Sequence, residues 1–195
     1  NIDLYLNFDF NLLNSLSLLF FKDIIGGSVF LKGVEISPEL NIDEISELIS
    51  NCEKLNMNEP EFSIFGYGYF PVMNSRYMLK FLSGKEKQSC FVEDLKGYRF
   101  PAGSDYNENI IIFNSKKVCT LFDLEKIYRS GTDNIIIDTR FLKEKDFLKV
   151  IKIYREAIDI LKNKGEKEYK KFVLLLKNDR IFKDYSKGHL LRGVE

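Results

Sequence analysis

The side chains that can do chemistry in this sequence sit in a few short stretches between long apolar runs. Glu39 lies in the turn Ser37-Pro38-Glu39-Leu40. Arg76 ends an aromatic stretch that begins at Tyr67, and Asp138 and Arg140 follow the triplet Ile135-Ile136-Ile137. His189, the one histidine, stands between Gly188 and Leu190. Guanidinium groups suit the bidentate grip of a carboxylate or phosphate. A carboxylate suits acid–base work, and an imidazole exchanges protons near neutral pH. The set therefore reads as an anionic small molecule held by Arg76 and Arg140, with Glu39 and His189 moving protons. The competing assignment is structural: Asp9, Glu39 and Asp138 cap helices, the arginines neutralise them, and His189 lies on an exposed tail. Tyr67, Tyr69, Phe70 and Tyr77, beside Arg76, suit stacking on a base or ring, or the packing of their own segment.

Other chemistries are disfavoured. There is no His-Glu-x-x-His pattern, so a zinc peptidase is not expected. A serine or cysteine triad would need His189 as base, and nothing in the sequence brings it to Ser37, Ser75 or Cys90. Cys52, Cys90 and Cys119 are odd in number and widely spaced, which argues against a disulfide framework and fits a reducing, cytoplasmic compartment. The 29 basic and 29 acidic residues cancel, so no global field points to nucleic acid or membrane. The balance is uneven along the chain, with ten Lys/Arg against four Asp/Glu from Lys162 to Arg192, a solvated helix face or an aid to RNA binding. No run approaches the ~20 apolar residues of a membrane span, and no signal peptide is seen. The sequence opens at Asn1 and enters a strand at once, so it reads as a segment of a longer protein.

The elements that must position these residues follow from periodicity. Ile2 to Phe8 alternates as a strand does. Asn11 to Ile24 repeats Leu12, Leu13, Leu16, Leu19 and Phe20 at helical spacing and stops at Gly26-Gly27. Ser28 to Ile36 reads as a strand broken near Gly33. Asn41 with Glu44 forms an Asn variant of a capping box for a helix that runs to about Lys54, with Ile42, Ile45, Leu48 and Ile49 on one face. Glu61 to Gly66 is a third strand. A polar stretch with a β-hairpin turning at Gly97 follows and returns along Ile110 to Asn114. Thr120 is placed as N-cap of a helix from Leu121 to Arg129 that Gly131 ends. Asn134 to Asp138 reads as a parallel strand covered on both faces. A long helix from Lys143 to Lys162 carries Phe147, Val150, Ile151, Tyr154, Ile158 and Leu161 as its stripe. Lys167 to Lys177 is a further helix or strand, and the last residues form a loop.

The class is α/β. Four βα units make half of a (β/α)8 TIM-like barrel, with a β-hairpin insertion after the third strand at about 67–114. The barrel part spans 1–164, and 165–195 form a basic C-terminal extension. A Rossmann sheet is the competitor, but its first turn would be Asp9-Phe10-Asn11, without a Gly-x-Gly pattern. In a barrel, the residues singled out above gather at the C-terminal ends of the strands.

Six stretches, in order, resemble peptidase family U32, the collagenase-like peptidases. They are Asn11-Leu12-Leu13-Asn14-Ser15, Ile36 to Leu40, Tyr67 to Tyr77, Glu93 to Pro101, Ile112 to Lys116 and Gly188 to Val194. The resemblance implies the C-terminal half of the family's barrel, needing a missing N-terminal half or a second copy in a homodimer. It implies a peptidase acting on a peptide at the barrel mouth. It also implies an alternative: other members are oxygen-independent hydroxylases of RNA bases or a quinone precursor, which hold an iron–sulfur cluster on four cysteines and use prephenate. The strand-end positions and the family stretches together give Glu39, Arg76 and His189 as the catalytic candidates and Asn14, Tyr67 and Arg140 as the ligand-binding ones. Met78 and Asn107 stand where cluster cysteines are expected, and Cys90 is the only cysteine at a ligand position. One thiol does not hold a cluster, so no cofactor is expected. The alternative is then a relative that has lost its cluster and binds a ligand or RNA.

Overall fold

The computed structural model describes residues 2–25, 28–57, 60–78 and 89–191. The Gly26-Gly27 stop and the final Arg192-Gly193-Val194 lie outside the described residues, as do the side chains of Met78 and Ser89. The fold is mixed α/β, with a parallel core sheet, five α-helices among the described residues and a separate antiparallel sheet.

Strand β1 (Ile2–Leu6) pairs in parallel with β2 (Val29–Glu35), β2 with β3 (Glu61–Gly68), and β3 with β9 (Asn134–Ile137). Helices α1 (Ser15–Ile25), α2 (Ile42–Lys54) and α3 (Leu124–Arg129) connect successive strands. Among the described residues the strands close no barrel. Alternation decides which face is buried: Leu4, Leu6, Val34, Phe62 and Ile64 belong to the helix-covered core, whereas Tyr5 is 66% and Phe30 40% exposed on the other side. The break expected near Gly33 is a register shift between Leu4 and Tyr5, which opposes Tyr5 to Gly33. A side chain at Gly33 would collide with the Tyr5 ring.

The differences from the periodicity reading have local causes. Helix α1 begins at Ser15 because Asn11 takes a left-handed conformation (φ 49°) and the Asn14 side chain accepts the Ser17 amide at 2.9 Å. At α2 the expected capping box forms: Asn41 accepts the Asp43 and Glu44 amides, and Glu44 accepts that of Asn41. Thr120 holds the N-cap position of a short 3-10 segment, but without a side-chain capping hydrogen bond. A 3-10 turn, Leu121–Asp123, precedes α3, and the Thr120 hydroxyl donates to the Gly66 carbonyl at 3.1 Å. The triplet Ile135-Ile136-Ile137 is half-buried rather than covered on both faces, and β9 pairs only with β3 among the described strands. In the long helix α4 (Glu144–Lys164), Ile153 and Ala157 are buried and Ile151 is 40% exposed, so the stripe is rotated from the expected one.

Helix α5 (Glu166–Leu176) and the turn after it pack into the same core through Tyr169, Val173, Ile181, Phe182 and Leu190. The stretch read as a basic extension therefore contributes core residues. The Ile181 carbonyl accepts the buried Tyr67 hydroxyl at 3.0 Å and the Lys117 ammonium. Arg180 pairs with buried Asp146 at 2.5 Å. No helix of the described residues is long and apolar enough to cross a membrane.

The insertion leaves β3 at Gly68, whose φ of 127° suits glycine. It forms β4 (Pro71–Met78), β5 (Ser89–Glu93), β6 (Arg99–Ser104) and β7 (Asn109–Phe113), antiparallel in the order β4-β7-β6-β5. The expected hairpin is β5–β6, with Gly97 at φ 80° and the Asp94 side chain accepting the Lys96 and Tyr98 amides. The chain returns as β8 (Lys117–Cys119), antiparallel to the end of β3 and parallel to the two-residue β10 (Tyr185–Ser186).

Candidate ligand-binding site

A pocket of about 310 Å³ opens beyond the C-terminal ends of β2 and β3. The β2–α2 turn supplies Ile36, Ser37, Pro38 and Glu39. Strand β3 and the start of the insertion supply Phe65 and Phe70, while Asn114, Val118 and Thr120 come from the returning chain. The C-terminal turn adds Lys187 and His189. The walls are mostly apolar with a few convergent polar groups, the usual make-up of a small-molecule site.

Local chemistry fixes each wall. The Ser37 hydroxyl donates to Asn11 Oδ1 at 3.0 Å, and the Ser37 amide donates to the Leu12 carbonyl at 3.3 Å, so the turn is tied to the exit of β1. Phe65 and Phe70 meet edge to face, their centroids 5.3 Å apart, and Phe8 packs on Phe70 at 5.1 Å. Gly188 (φ 60°) turns the chain behind β10, and the Leu190 carbonyl accepts the Ile42 amide at the start of α2 at 2.8 Å. Lys187 reaches buried Asp123 at 2.8 Å, which pins the His189 turn to the 3-10 segment before α3.

Of the residues singled out from the sequence, Glu39 and His189 come together on this pocket. They are 150 positions apart (189 − 39). Arg76 is exposed on β4 and does not line it. Arg140 folds back on Asp138, with an Nε–Oδ2 distance of 2.8 Å, and lies over the Phe113 ring at 4.7 Å. It thus sits where the insertion meets the body, paired with Asp138. Asn14 is a helix cap, and Tyr67 is fully buried, its hydroxyl committed to Ile181 and raised in pKa by that burial. Asn114, Thr120 and Lys187 line the pocket and were not singled out. The placement of Thr120 and Lys187 depends on the three-residue β8 and the two-residue β10 pairing beside β3, which segments so short do not announce.

The cysteines lie on three separate elements: Cys52 in α2, Cys90 in β5 and Cys119 in β8. Cys52 and Cys119 are fully buried, and burial pushes both thiols up to about 11, away from the thiolate that a metal takes as ligand. Cys119 faces the Tyr154 hydroxyl at 3.8 Å. Among the described residues no group of three or more His, Cys, Asp and Glu is arranged to hold a metal ion. This donor set does not fit an iron–sulfur cluster held by this chain's own cysteines.

A model of peptidase family U32 matches residues 1–193. Among curated proteins, the chain is similar to tRNA hydroxylation protein P2 of Bacillus subtilis (strain 168). The two are 28% identical over 147 residues, 70% of this chain and 46% of that protein. The chain spans about half the length of this curated relative. No solved structure matches.

Proposed function

From the premise that this chain belongs to peptidase family U32, we propose that it is the ligand-binding C-terminal half of a U32-type (β/α) barrel that takes an RNA nucleobase at its strand ends. The observation that carries the reading is the pocket itself. It lies where βα loops converge, has an aromatic wall of Phe65 and Phe70, and brings Glu39 and His189 to one opening. The name of the tRNA hydroxylation relative supports RNA as the ligand class. Exposed Tyr5 and Phe30 on the uncovered sheet face support a second barrel half, from a longer chain or a second copy. No redox step is routed through this half, because its thiols do not fit a cluster.

A peptidase is the second reading, favoured by Glu39 and His189 sharing the pocket. Against it, the pocket's serine, Ser37, is 2% exposed and its hydroxyl proton is given to Asn11.

The test is binding of the four ribonucleosides, uridine among them, and of unmodified tRNA by wild type, Glu39→Gln and His189→Ala, alongside hydrolysis of gelatin. The expected result is nucleoside binding by wild type, weakened about tenfold or more in each variant, with no gelatin cleavage. Gelatin cleavage lost in both variants moves the assignment to the peptidase. Absence of nucleoside binding, or binding unchanged in both variants, removes the pocket reading.

A further inference from the structure

Glu35 is the last residue of β2, and the exit of β1 folds over it. The 3-10 turn Phe8–Phe10 covers its carboxyl: the Phe8 amide approaches Oε2 at 3.4 Å, while Oε1 is buried without a hydrogen-bond partner. A bare buried carboxylate oxygen is costly, and a carboxylic acid in the same place is much less so. Asp9 on the covering turn is the charged group that faces Glu35, and its Oδ2 accepts the Asn7 side-chain Nδ2 at 2.8 Å. Its cross-strand partner on β3, Ser63, is uncharged, and β1 offers Leu6 against the neighbouring Val34. The same turn carries Phe8, whose ring packs on Phe70, and Phe70 packs on Phe65 in the pocket wall.

We propose that Glu35 is a proton-operated latch on the aromatic wall of the pocket: protonated, it lets the Phe8–Phe10 turn close over it and hold Phe8 against Phe70, and ionised, it drives that turn open to reach water. The inference regulates the pocket assigned above and rests on that assignment for its functional meaning, but the latch itself can be tested without a ligand.

Burial, with Asp9's charge adding to it, raises the Glu35 carboxyl from 4.5 to about 7 in the closed arrangement. An opened, hydrated Glu35 ionises near the ordinary 4.5. Below that value both forms are protonated and closure is at full strength. Between 4.5 and about 7 only the open form ionises, so closure weakens steadily. Above about 7 both are ionised and the dependence levels off.

The experiment is native-state amide exchange, corrected for intrinsic rates, at three amides. Phe8 donates to Glu35, Asn11 to the Phe8 carbonyl at 2.9 Å, and Asn114 to the Phe70 carbonyl at 2.8 Å. In wild type, protection at all three falls by about tenfold or more between about pH 5 and pH 7.5, whereas Glu35→Gln stays flat. Asp9→Asn removes the charge facing the closed form, so its fall begins at the same pH as in wild type but levels off at lower pH and is smaller; this variant also decides the matter if Glu35→Gln fails to fold. Flat protection in wild type, an undiminished fall in Glu35→Gln, or an Asp9→Asn profile coincident with wild type overturns the latch. Failure of all four ribonucleosides to bind at every pH while protection still follows pH sinks the nucleobase reading and leaves the latch standing.

Discussion

The parallel body and the antiparallel insertion are built by different means. The body is a burial structure: helices α1 to α5 and the strands share one core that reaches from Leu6 to Leu190. The insertion is a ladder structure. Its own cluster of fully buried residues is Ala102 and Ile110, supported by Cys90, Val92 and Ile112, while Phe91, Tyr98 and Tyr106 stand exposed. The two meet through rings, with Tyr69 and Phe113 both packed edge to face on Phe141. The pocket lies on this boundary: the body supplies the Ile36–Leu40 turn and the insertion supplies Phe70, Pro71 and Val72.

The sharpest way to break the comparison is to damage the body alone. Phe182→Ala empties a fully buried site against Tyr67 and should cost about 3–5 kcal/mol by denaturant titration, unfolding β1 to β3 and the α4–α5 pair together. A loss below about 1 kcal/mol would mean that the segment after α5 does not belong to the body.

The joint comes next. Gly68→Ala forces a side chain into a left-handed position, 2.6 Å from the Asp138 carbonyl oxygen, with an expected cost of about 1–3 kcal/mol. Amide exchange should rise at the Asp138 amide, which donates to the Tyr67 carbonyl, and at Asn114, while β6–β7 amides hold. Uniform loss across both regions would make them one cooperative unit.

The smallest effect belongs to the insertion. Asp94→Ala removes the carboxylate that accepts the Lys96 and Tyr98 amides, a change of about 1 kcal/mol or less that is confined to exchange in β5 and β6. A shift in the body's unfolding midpoint would show that the hairpin contributes to the core.

Much of this was legible in the sequence, and the failures are instructive. The capping box of α2, the hairpin at Gly97 and the parallel order of the first three strands rest on local rules, and the residues carried them. Family membership was legible in six ordered stretches, and two of these, the Glu39 turn and the His189 close, meet at the pocket. Tyr67 looked like a ligand residue because aromatics beside arginine suit both recognition and packing. Only the arrival of Ile181, 114 positions later, decides for packing. Arg140 was counted toward a distant anion, yet Asp138, two positions away, takes it first. Strand β8 is three residues long and antiparallel, beneath any periodic signal. Glu35 drew no notice because a lone acid at a strand end has no pattern, and its environment is made by the chain folding back over it.

The Gly66 carbonyl accepts the Thr120 amide at 2.9 Å, the Thr120 hydroxyl at 3.1 Å and the Tyr154 hydroxyl at 2.9 Å. Three donors on one oxygen amount to insurance. Either hydroxyl, or both, can be lost while the Thr120 amide still serves the acceptor, so the side chains add reach to neighbouring elements rather than satisfaction of the oxygen. One carbonyl thereby ties the strand end beneath the pocket to the returning chain through Thr120 and to the longest helix through Tyr154.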